Sequence, residues 1–182
     1  MSINLKAIVE GLLFVADAPL TAERIAQVTE GTPKDRVQKV LDELETEYGE
    51  MGRAFVLKNV AGGYQFRSRP ELSSYILMLK QKPPTRLSRA AFETLAVIAY
   101  RQPILRAEME KIRGVDVGGT VKTLLERDLI RIIGRQDLPG RPILYGTTKK
   151  FLEVFGLPNL EALPTLEEMD SLGVGDEEGL LF

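Results

Sequence analysis

The stretch LSRAAFETLAVIAYRQPILRAEMEKIRGVDVGGTVKTLLERDLIRIIGR, residues 87–135, contains three helical patterns of apolar residues and ends in a run typical of a strand. Ser88 can cap the first helix, and Arg101-Gln102-Pro103 interrupts it. Gly114 ends the second helix, and Asp116 begins the third. The apolar faces of these helices are Phe92, Leu95, Ala96 and Ala99, then Leu105, Met109 and Ile112, then Val121, Leu124 and Leu125.

A β-hairpin is predicted after the third helix. Its strands are 130–133 and 143–145, and residues 134–142 join them. A closing helix that starts near Thr147 follows and carries Phe151, Leu152 and Phe155. Because three helices followed by a hairpin are the arrangement of a winged helix-turn-helix domain, residues 88–157 are predicted to form one.

Residues 1–79 predict a first domain of the same kind. Thr21 can cap a second helix, and Thr32-Pro33 can open a third, with threonine as the cap and proline at the first helical position. Alternation on both sides of Ala61-Gly62-Gly63 favours a hairpin, and a short helix over 72–79 closes the domain. The apolar positions are Leu5, Ile8, Val9, Leu12 and Leu13, then Ile25 and Val28, then Val37, Val40, Leu41 and Leu44, then Phe55, Leu57, Tyr64 and Phe66.

The two predicted domains share one pattern at a constant offset. A shift of 84 residues places Pro19 on Pro103 and also aligns the apolar positions of two helices. The sequence therefore predicts a mainly α fold with small β-hairpins (α+β), built from two tandem winged helix-turn-helix domains.

The remaining segments are a linker and a tail. Residues 80–87 contain Pro83-Pro84, which favours an extended, semi-rigid linker. Thr165 and Glu168 fit a capping box for one last short helix. Glycines and acidic residues predominate from Ser171 onward, so 158–182 are predicted to be a short helix followed by a flexible, disordered acidic tail.

Composition argues against an enzyme. The 182 residues include no histidine and no cysteine, which removes the usual zinc and copper ligands, the commonest general base and the most reactive nucleophile. No Walker phosphate loop is present either, so we expect no catalysis, no cofactor and no small-molecule substrate. Neither a membrane span of roughly 18 apolar residues nor a signal peptide is recognised, and a cytoplasmic protein is expected.

Charge is distributed unevenly along the chain. The net charge is −2 over residues 1–79, +8 over 80–150 and −8 over 151–182. Neither predicted third helix, 33–48 or 116–128, is net positive, which disfavours a transcription regulator that reads the DNA major groove. The basic segment is compatible with nonspecific DNA binding, with docking of an acidic peptide, and with shielding by the acidic tail. Its basic residues include Lys80, Lys82, Arg86, Arg89, Arg131, Arg135, Arg141, Lys149 and Lys150.

Three stretches of the chain resemble the segregation and condensation protein B (ScpB) family. They are residues 87–135, quoted above, GRPILYGTTKKFLEVFGLPNLEALP at 140–164, and IVEGLLFVADAPLT at 8–21. The resemblance covers roughly residues 5–168. Gly140-Arg141-Pro142 followed by Tyr145-Gly146-Thr147-Thr148 is distinctive for a short chain.

The resemblance implies a non-enzymatic accessory subunit of a condensin-like complex that acts in chromosome condensation and segregation during cell division. Members of the family form homodimers, chiefly through the first winged-helix domain, and bind the kleisin ScpA. The kleisin joins the heads of an SMC ATPase, so this subunit needs no cofactor. The implied complex is nucleoid-associated, and the contact of this subunit with DNA is expected to be weak or indirect.

Candidate binding residues lie in both domains. For dimerisation they are Leu12, Phe14 and Val15, since the run from Leu12 to Val15 exceeds one helix face. The alternative, which we favour at this point, is that Phe14 and Val15 are buried against the hairpin. Arg113 and Arg141 can likewise be structural ion-pair partners. The candidates for kleisin binding in the second domain are Arg101, Arg113, Arg135, Arg141 and Tyr145.

Overall fold

The computed structural model of the protein describes residues 4–80, 87–165 and Glu168. These residues divide into two compact units: 4–80 together with Gly156–Asn159 belong to the first, and 87–155 with 160–165 belong to the second. Both units combine α-helices with a small antiparallel sheet. None of the helices in these described ranges is long and apolar enough to cross a membrane.

The first unit has three helices followed by an antiparallel hairpin. Its core is formed by one face of each helix together with Leu57 and Tyr64 from the hairpin. In chain order the elements are α1 (Leu5–Val15), α2 (Ala22–Val28), α3 (Lys34–Glu50), β1 (Phe55–Val60), β2 (Gly63–Ser68), a 3₁₀ turn (Pro70–Leu72) and α4 (Ser73–Lys80).

Side-chain caps fix where two of these helices begin. The Asn4 side chain accepts from the Ala7 N–H at 2.8 Å, and the Thr21 hydroxyl accepts from the Arg24 N–H at 3.2 Å. The predicted Thr32 cap is wrong. The Thr32 hydroxyl instead donates to the Thr29 carbonyl at 3.1 Å, because that carbonyl, at the end of α2, lacks an intrahelical partner. As a result α3 begins after Pro33 without a side-chain cap.

The first hairpin closes through a two-residue turn. Val60 pairs with Gly63, and the two residues between them, Ala61 and Gly62, have φ of 52° and 76°. Two successive positive φ angles are the geometry of a type I′ turn, which matches the twist of the strands. The predicted turn at these residues is therefore confirmed.

Tyr64 joins this hairpin to the rest of the unit through both its backbone and its side chain. Its backbone N–H and carbonyl form hydrogen bonds with Leu20, at 2.8 and 2.9 Å. Its phenol donates to the Asp42 carboxylate at 3.1 Å and accepts from the Gln38 amide at 2.8 Å. Burial of the ring raises the pKa of Tyr64, so it stays a neutral donor. The segment before α2 and the helix α3 are thus both fixed to one residue of β2.

The second unit repeats this order and adds a short strand. Ser88 caps its first helix by accepting from the Ala91 N–H at 3.2 Å, and Gly114 ends the second with φ of 70°, as predicted. The elements are α5 (Arg89–Arg101), β3 (Ile104–Leu105), α6 (Arg106–Arg113), α7 (Gly118–Glu126), β4 (Ile130–Arg135), β5 (Ile143–Thr147) and α8 (Lys149–Phe155), before a 3₁₀ turn (Leu160–Ala162).

The third helix of this unit starts two residues later than predicted. The Asp116 carboxylate accepts from the Gly118 N–H at 3.0 Å and contacts the Arg106 guanidinium at 2.5 Å. These contacts hold the pKa of Asp116 below its usual range, with the Gly118 hydrogen bond as the largest cause. Asp116 therefore forms a local turn ahead of α7.

The strand β3 was not predicted, because two residues are too few to show alternation. It lies at the edge of a three-stranded sheet ordered β3-β5-β4, in which Ile104 pairs with Tyr145. The first unit contains the equivalent as an isolated bridge between Leu20 and Tyr64. The 84-residue offset aligns Leu20 with Ile104, so the repeat extends to this pairing.

The end of the described chain contains two more caps. The Thr148 hydroxyl accepts from the Phe151 N–H at 3.1 Å at the start of α8. Thr165 and Glu168 exchange the two hydrogen bonds of the predicted capping box, at 2.7 and 3.2 Å. The predictions for the linker residues 81–86 and for the acidic tail beyond Glu168 lie outside the described residues.

A substitution at Gly63 tests the pairing of Leu20 with Tyr64. A Cβ at this position would lie 2.9 Å from both the carbonyl carbon and the oxygen of Leu20, closer than backbone atoms allow. We expect Gly63→Ala to lower the free energy of unfolding by about 1–3 kcal/mol, the usual cost of overpacking, measured by urea denaturation. Gly49→Ala is the control, since nothing lies within 4 Å there and a helical alanine stabilises by up to about 1 kcal/mol. Equal stability of the two variants would contradict the close approach.

Candidate protein-interaction surfaces

The end of α1 exposes two large apolar side chains. Phe14 is 80% exposed and Val15 is 72% exposed, so the expectation that they are buried against the hairpin is wrong. The reason is helical geometry: Val9 and Leu13 define the buried stripe, and residues one and two positions after Leu13 are rotated away from it. Leu12 lies half-buried at the margin.

Beside Val15 the surface contains an apolar groove of about 200 Å³. Val28 at the end of α2 is half-exposed on its rim, although the sequence pattern assigned this residue to the core face. We call this feature the α1 groove. It is lined by Leu12, Val15, Ala16, Leu20, Arg24, Ile25 and Val28.

In the second unit, Arg113 has a structural role. Its guanidinium lies 2.6 Å from the Glu93 carboxylate and donates to the Ala90 carbonyl at 3.3 Å, and only 14% of the side chain is exposed. A structural ion pair is the alternative role that the sequence suggests for Arg113, and the structure shows this ion pair. It fastens α6 to the first turn of α5.

Arg101 lies apart from Arg113. It is exposed at the last residue of α5, whereas Arg113 contacts Ala90 and Glu93 near the start of that helix. At 1.5 Å per residue these two positions are on the order of 12 Å apart along the axis. The structure therefore does not bring these two candidates into one site.

Arg135 and Arg141 do lie together. The Arg135 guanidinium donates to the Arg141 carbonyl at 3.1 Å across the loop of the second hairpin. Arg141 has φ of 43°, and its N–H donates to the Leu138 carbonyl at 2.8 Å. Tyr145 is only 8% exposed and pairs with both Ile104 and Ile132, so most of it is occupied within the sheet.

Apolar side chains accompany these arginines. Ile132, Ile133 and Leu138 are 53%, 44% and 50% exposed. The sequence pattern placed Ile132 and Ile133 in the hairpin without marking them as surface residues. The pairing of β4 with β5 is irregular between Ile132 and Gly134, so the regular alternation of a strand is interrupted there. Within the described part of the chain, neither Arg131, Arg135 nor Arg141 forms an ion pair. We call the set the hairpin surface: Arg131, Ile132, Ile133, Arg135, Leu138 and Arg141.

The phenol of Tyr48 has a strongly raised pKa. It donates to the Glu10 carboxylate, and this hydrogen bond together with burial raises the pKa to about 12. The ring packs against Phe55 and Phe66, with centroids 5.6 and 4.8 Å away. This arrangement connects α3 to α1 and to the hairpin, which is a structural role. Among the described residues no group of acidic side chains is arranged to hold a metal ion.

Comparison with known proteins identifies the class to which these units and surfaces belong. A family model described as "Segregation and condensation complex subunit ScpB" matches residues 7–166. A segregation and condensation protein B from Syntrophotalea carbinolica is 52% identical over 100% of this chain and 91% of its own length. One from Moorella thermoacetica is 50% identical over 91% of this chain and 85% of its own. The chain thus belongs to the ScpB family of segregation and condensation proteins.

Solved structures give a weaker likeness. The crystal structure of ScpB from Mycobacterium tuberculosis is 36% identical over 86% of this chain and 99% of its own, with a TM-score of 0.40. A dimer of a ScpB N-terminal domain complexed with a ScpA peptide is 31% identical over 41% of this chain and 91% of its own, with a TM-score of 0.37. Scores below 0.5 do not establish a common overall arrangement.

The variants Arg113→Ala and Arg101→Ala distinguish a structural role from a binding role. We expect Arg113→Ala to lower the free energy of unfolding by about 1 kcal/mol, because it removes the contacts to Glu93 and Ala90 from a mostly buried side chain. Arg101→Ala, at an exposed position, is expected to change it by less than about 0.5 kcal/mol. Thermal and urea unfolding measure both values. An unchanged stability for Arg113→Ala would return this residue to the binding candidates.

Proposed function

We propose that this chain is a non-enzymatic accessory subunit of a condensin-like complex, acting with the kleisin ScpA and an SMC ATPase in chromosome condensation and segregation. The observation that carries the proposal is membership of the ScpB family over residues 7–166. The absence of a Walker phosphate loop from the sequence supports a subunit that leaves ATP hydrolysis to the SMC heads. The subunit acts in the cytoplasm, on the nucleoid.

Each unit is proposed to be a winged helix-turn-helix domain. The order of three helices and a hairpin supports this assignment, as does the short strand or bridge that pairs with the hairpin in both units. The first domain, 1–79, serves dimerisation, and the second, 88–157, serves kleisin binding. The linker 80–87 joins them, and the acidic segment 158–182 follows.

The proposed dimer uses Phe14 and the α1 groove. In a two-fold symmetric dimer, the same patch on each copy must be self-complementary. Phe14 protrudes beside an apolar groove of about 200 Å³, a space suited to one large side chain, so Phe14 of each copy enters the groove of the other. Leu12 and Val15 form the floor and edge of that contact.

The proposed kleisin contact uses the hairpin surface. Arg135 and Arg141 are exposed and lie beside the apolar side chains Ile133 and Leu138, a combination suited to an acidic peptide that also carries apolar residues. Arg101 extends the contact along α5, and Tyr145 supports the hairpin from beneath. Arg113, which is engaged by Glu93, positions α6 for the same surface.

Nonspecific DNA binding is the second candidate, favoured by the same arginines. They can contact phosphates without reading sequence, and such binding weakens steeply with salt. In the first unit α3 carries Asp35, Asp42, Glu43, Glu45 and Glu47, which disfavours its entry into a groove.

Dimerisation through Phe14 is tested by light scattering after size-exclusion chromatography. We expect the unmodified chain to have about twice its mass of 20.3 kDa, and Phe14→Asp to be a monomer, because a carboxylate cannot enter an apolar groove without a partner. Leu138→Asp removes a half-exposed apolar residue from the second unit and is expected to stay dimeric. A dimeric Phe14→Asp with unchanged affinity would place the interface elsewhere.

Kleisin binding is tested by titrating a purified ScpA fragment against two charge reversals. We expect Arg135→Glu to weaken binding at least about tenfold, or about 1.4 kcal/mol. Lys122→Glu, on α7 with a side chain 78% exposed, is expected to leave it unchanged. Tight retention on random duplex DNA, lost in Arg135→Glu without any binding of the fragment, would favour the second candidate instead.

A further inference from the structure

The hairpin surface differs from the corresponding part of the first unit in loop length and in its exposed apolar side chains, whereas residues 55–68 and 130–147 each have a net charge of +2. The two hairpins share one architecture, but the first closes through Ala61 and Gly62 alone, whereas the second carries a loop from 136 to 142. That loop and its strands present three exposed arginines together with exposed Ile132, Ile133 and Leu138. Such a surface suits an acidic segment that contains large apolar residues.

The chain itself contains a segment of this composition. Residues 166–182, LEEMDSLGVGDEEGLLF, include six acidic residues and no lysine or arginine, so their net charge is −6. Apolar residues are interspersed with the acids and include Leu180, Leu181 and Phe182. Charge and apolar content are therefore both complementary to the hairpin surface.

The start of this segment is held on the second unit. The Tyr100 hydroxyl, near the end of α5, donates to the Pro164 carbonyl at 2.6 Å. The 17 residues 166–182 reach at most about 56–61 Å when extended, at 3.3–3.6 Å each. A compact unit of about 70 residues has a radius of gyration of only about 11 Å, so every part of the second unit lies within reach.

We propose that the acidic segment 166–182 docks on the hairpin surface of its own chain. Arg131, Arg135 and Arg141 bind its carboxylates, and the exposed isoleucines and Leu138 contact its apolar side chains. Exposed ion pairs are individually weak, but the tether supplies an effective concentration on the order of millimolar, which favours the contact within one chain. The docked segment covers the arginines, so acidic partners must displace it. This contact does not depend on the proposed function.

A spin label on the segment tests the proposal directly in the full chain. The sequence has no cysteine, so Ser171→Cys provides a single attachment site for a nitroxide. We expect the nitroxide to reduce the amide NMR signals of residues 131–141 and to leave those of the first hairpin, 55–68, unchanged. The effect should fade between about 0.1 M and 1 M NaCl, as the Debye length falls from about 10 Å to about 3 Å.

Two matched variants separate specific docking from general charge effects. The first is a triple variant that is expected to restore the amide signals of residues 131–141: Asp176→Asn, Glu177→Gln and Glu178→Gln. The same number of neutralised carboxylates on α3, at Asp35, Glu43 and Glu50, is expected to leave the signal loss in place. Equal loss in both hairpins, or no loss in either, would overturn the proposal. So would loss that appears only when labelled chains are mixed with separate isotope-labelled chains, since the segment would then dock on a neighbouring copy.

Discussion

The backbone pairing between the segment after each first helix and the strand beneath it holds the rest of the architecture in place. In the first unit Leu20 and Tyr64 exchange two hydrogen bonds, and in the second Ile104 pairs with Tyr145. Buried backbone groups must be paired, so this contact fixes where the chain reverses between the first two helices. The position of α2 and the shape of the α1 groove depend on that reversal, as does the start of α6.

The pairing also explains why small residues occupy the hairpins. Gly63 lies against the backbone of Leu20, and a Cβ at Gly146 would lie 2.1 Å from the Ile133 side chain and 2.7 Å from the Gln102 amide oxygen. That amide oxygen accepts from the Thr147 N–H at 2.8 Å, which connects the end of α5 to β5. The two units thus share a scaffold determined by close backbone approach, while their outer surfaces differ in charge and in loop length.

Much of the fold could be predicted from the sequence, because apolar periodicity and caps are local features. The helices, both hairpins, the cap at Ser88 and the capping box at Thr165 were predicted correctly. The Thr32 cap failed because a competing carbonyl, at Thr29, lies close only after α2 has folded. The strand β3 could not be predicted, because it consists of two residues and exists only through its pairing with β5.

The surfaces were less predictable, since exposure depends on what a side chain finds opposite it. Phe14 and Val15, named as dimer candidates but expected rather to be buried against the hairpin, are exposed, and Val28 and Ile112, at equivalent positions of the repeat, are both about half-exposed. The clustering of Arg135 with Arg141 results from the hairpin loop, which brings residues six positions apart into contact. Arg113 does not join this cluster, because its guanidinium is held by the Glu93 carboxylate.

The Tyr48–Glu10 hydrogen bond gives the first unit an intrinsic optical marker. The chain has five tyrosines and no tryptophan, so its near-ultraviolet absorbance comes from tyrosine. A pKa raised to about 12 means that the folded state retains the Tyr48 proton more strongly than the unfolded chain does. The stabilisation is complete below pH 10 and is lost as the pH rises towards 12. Late ionisation of the Tyr48 phenol will therefore mark an intact α1–α3 contact.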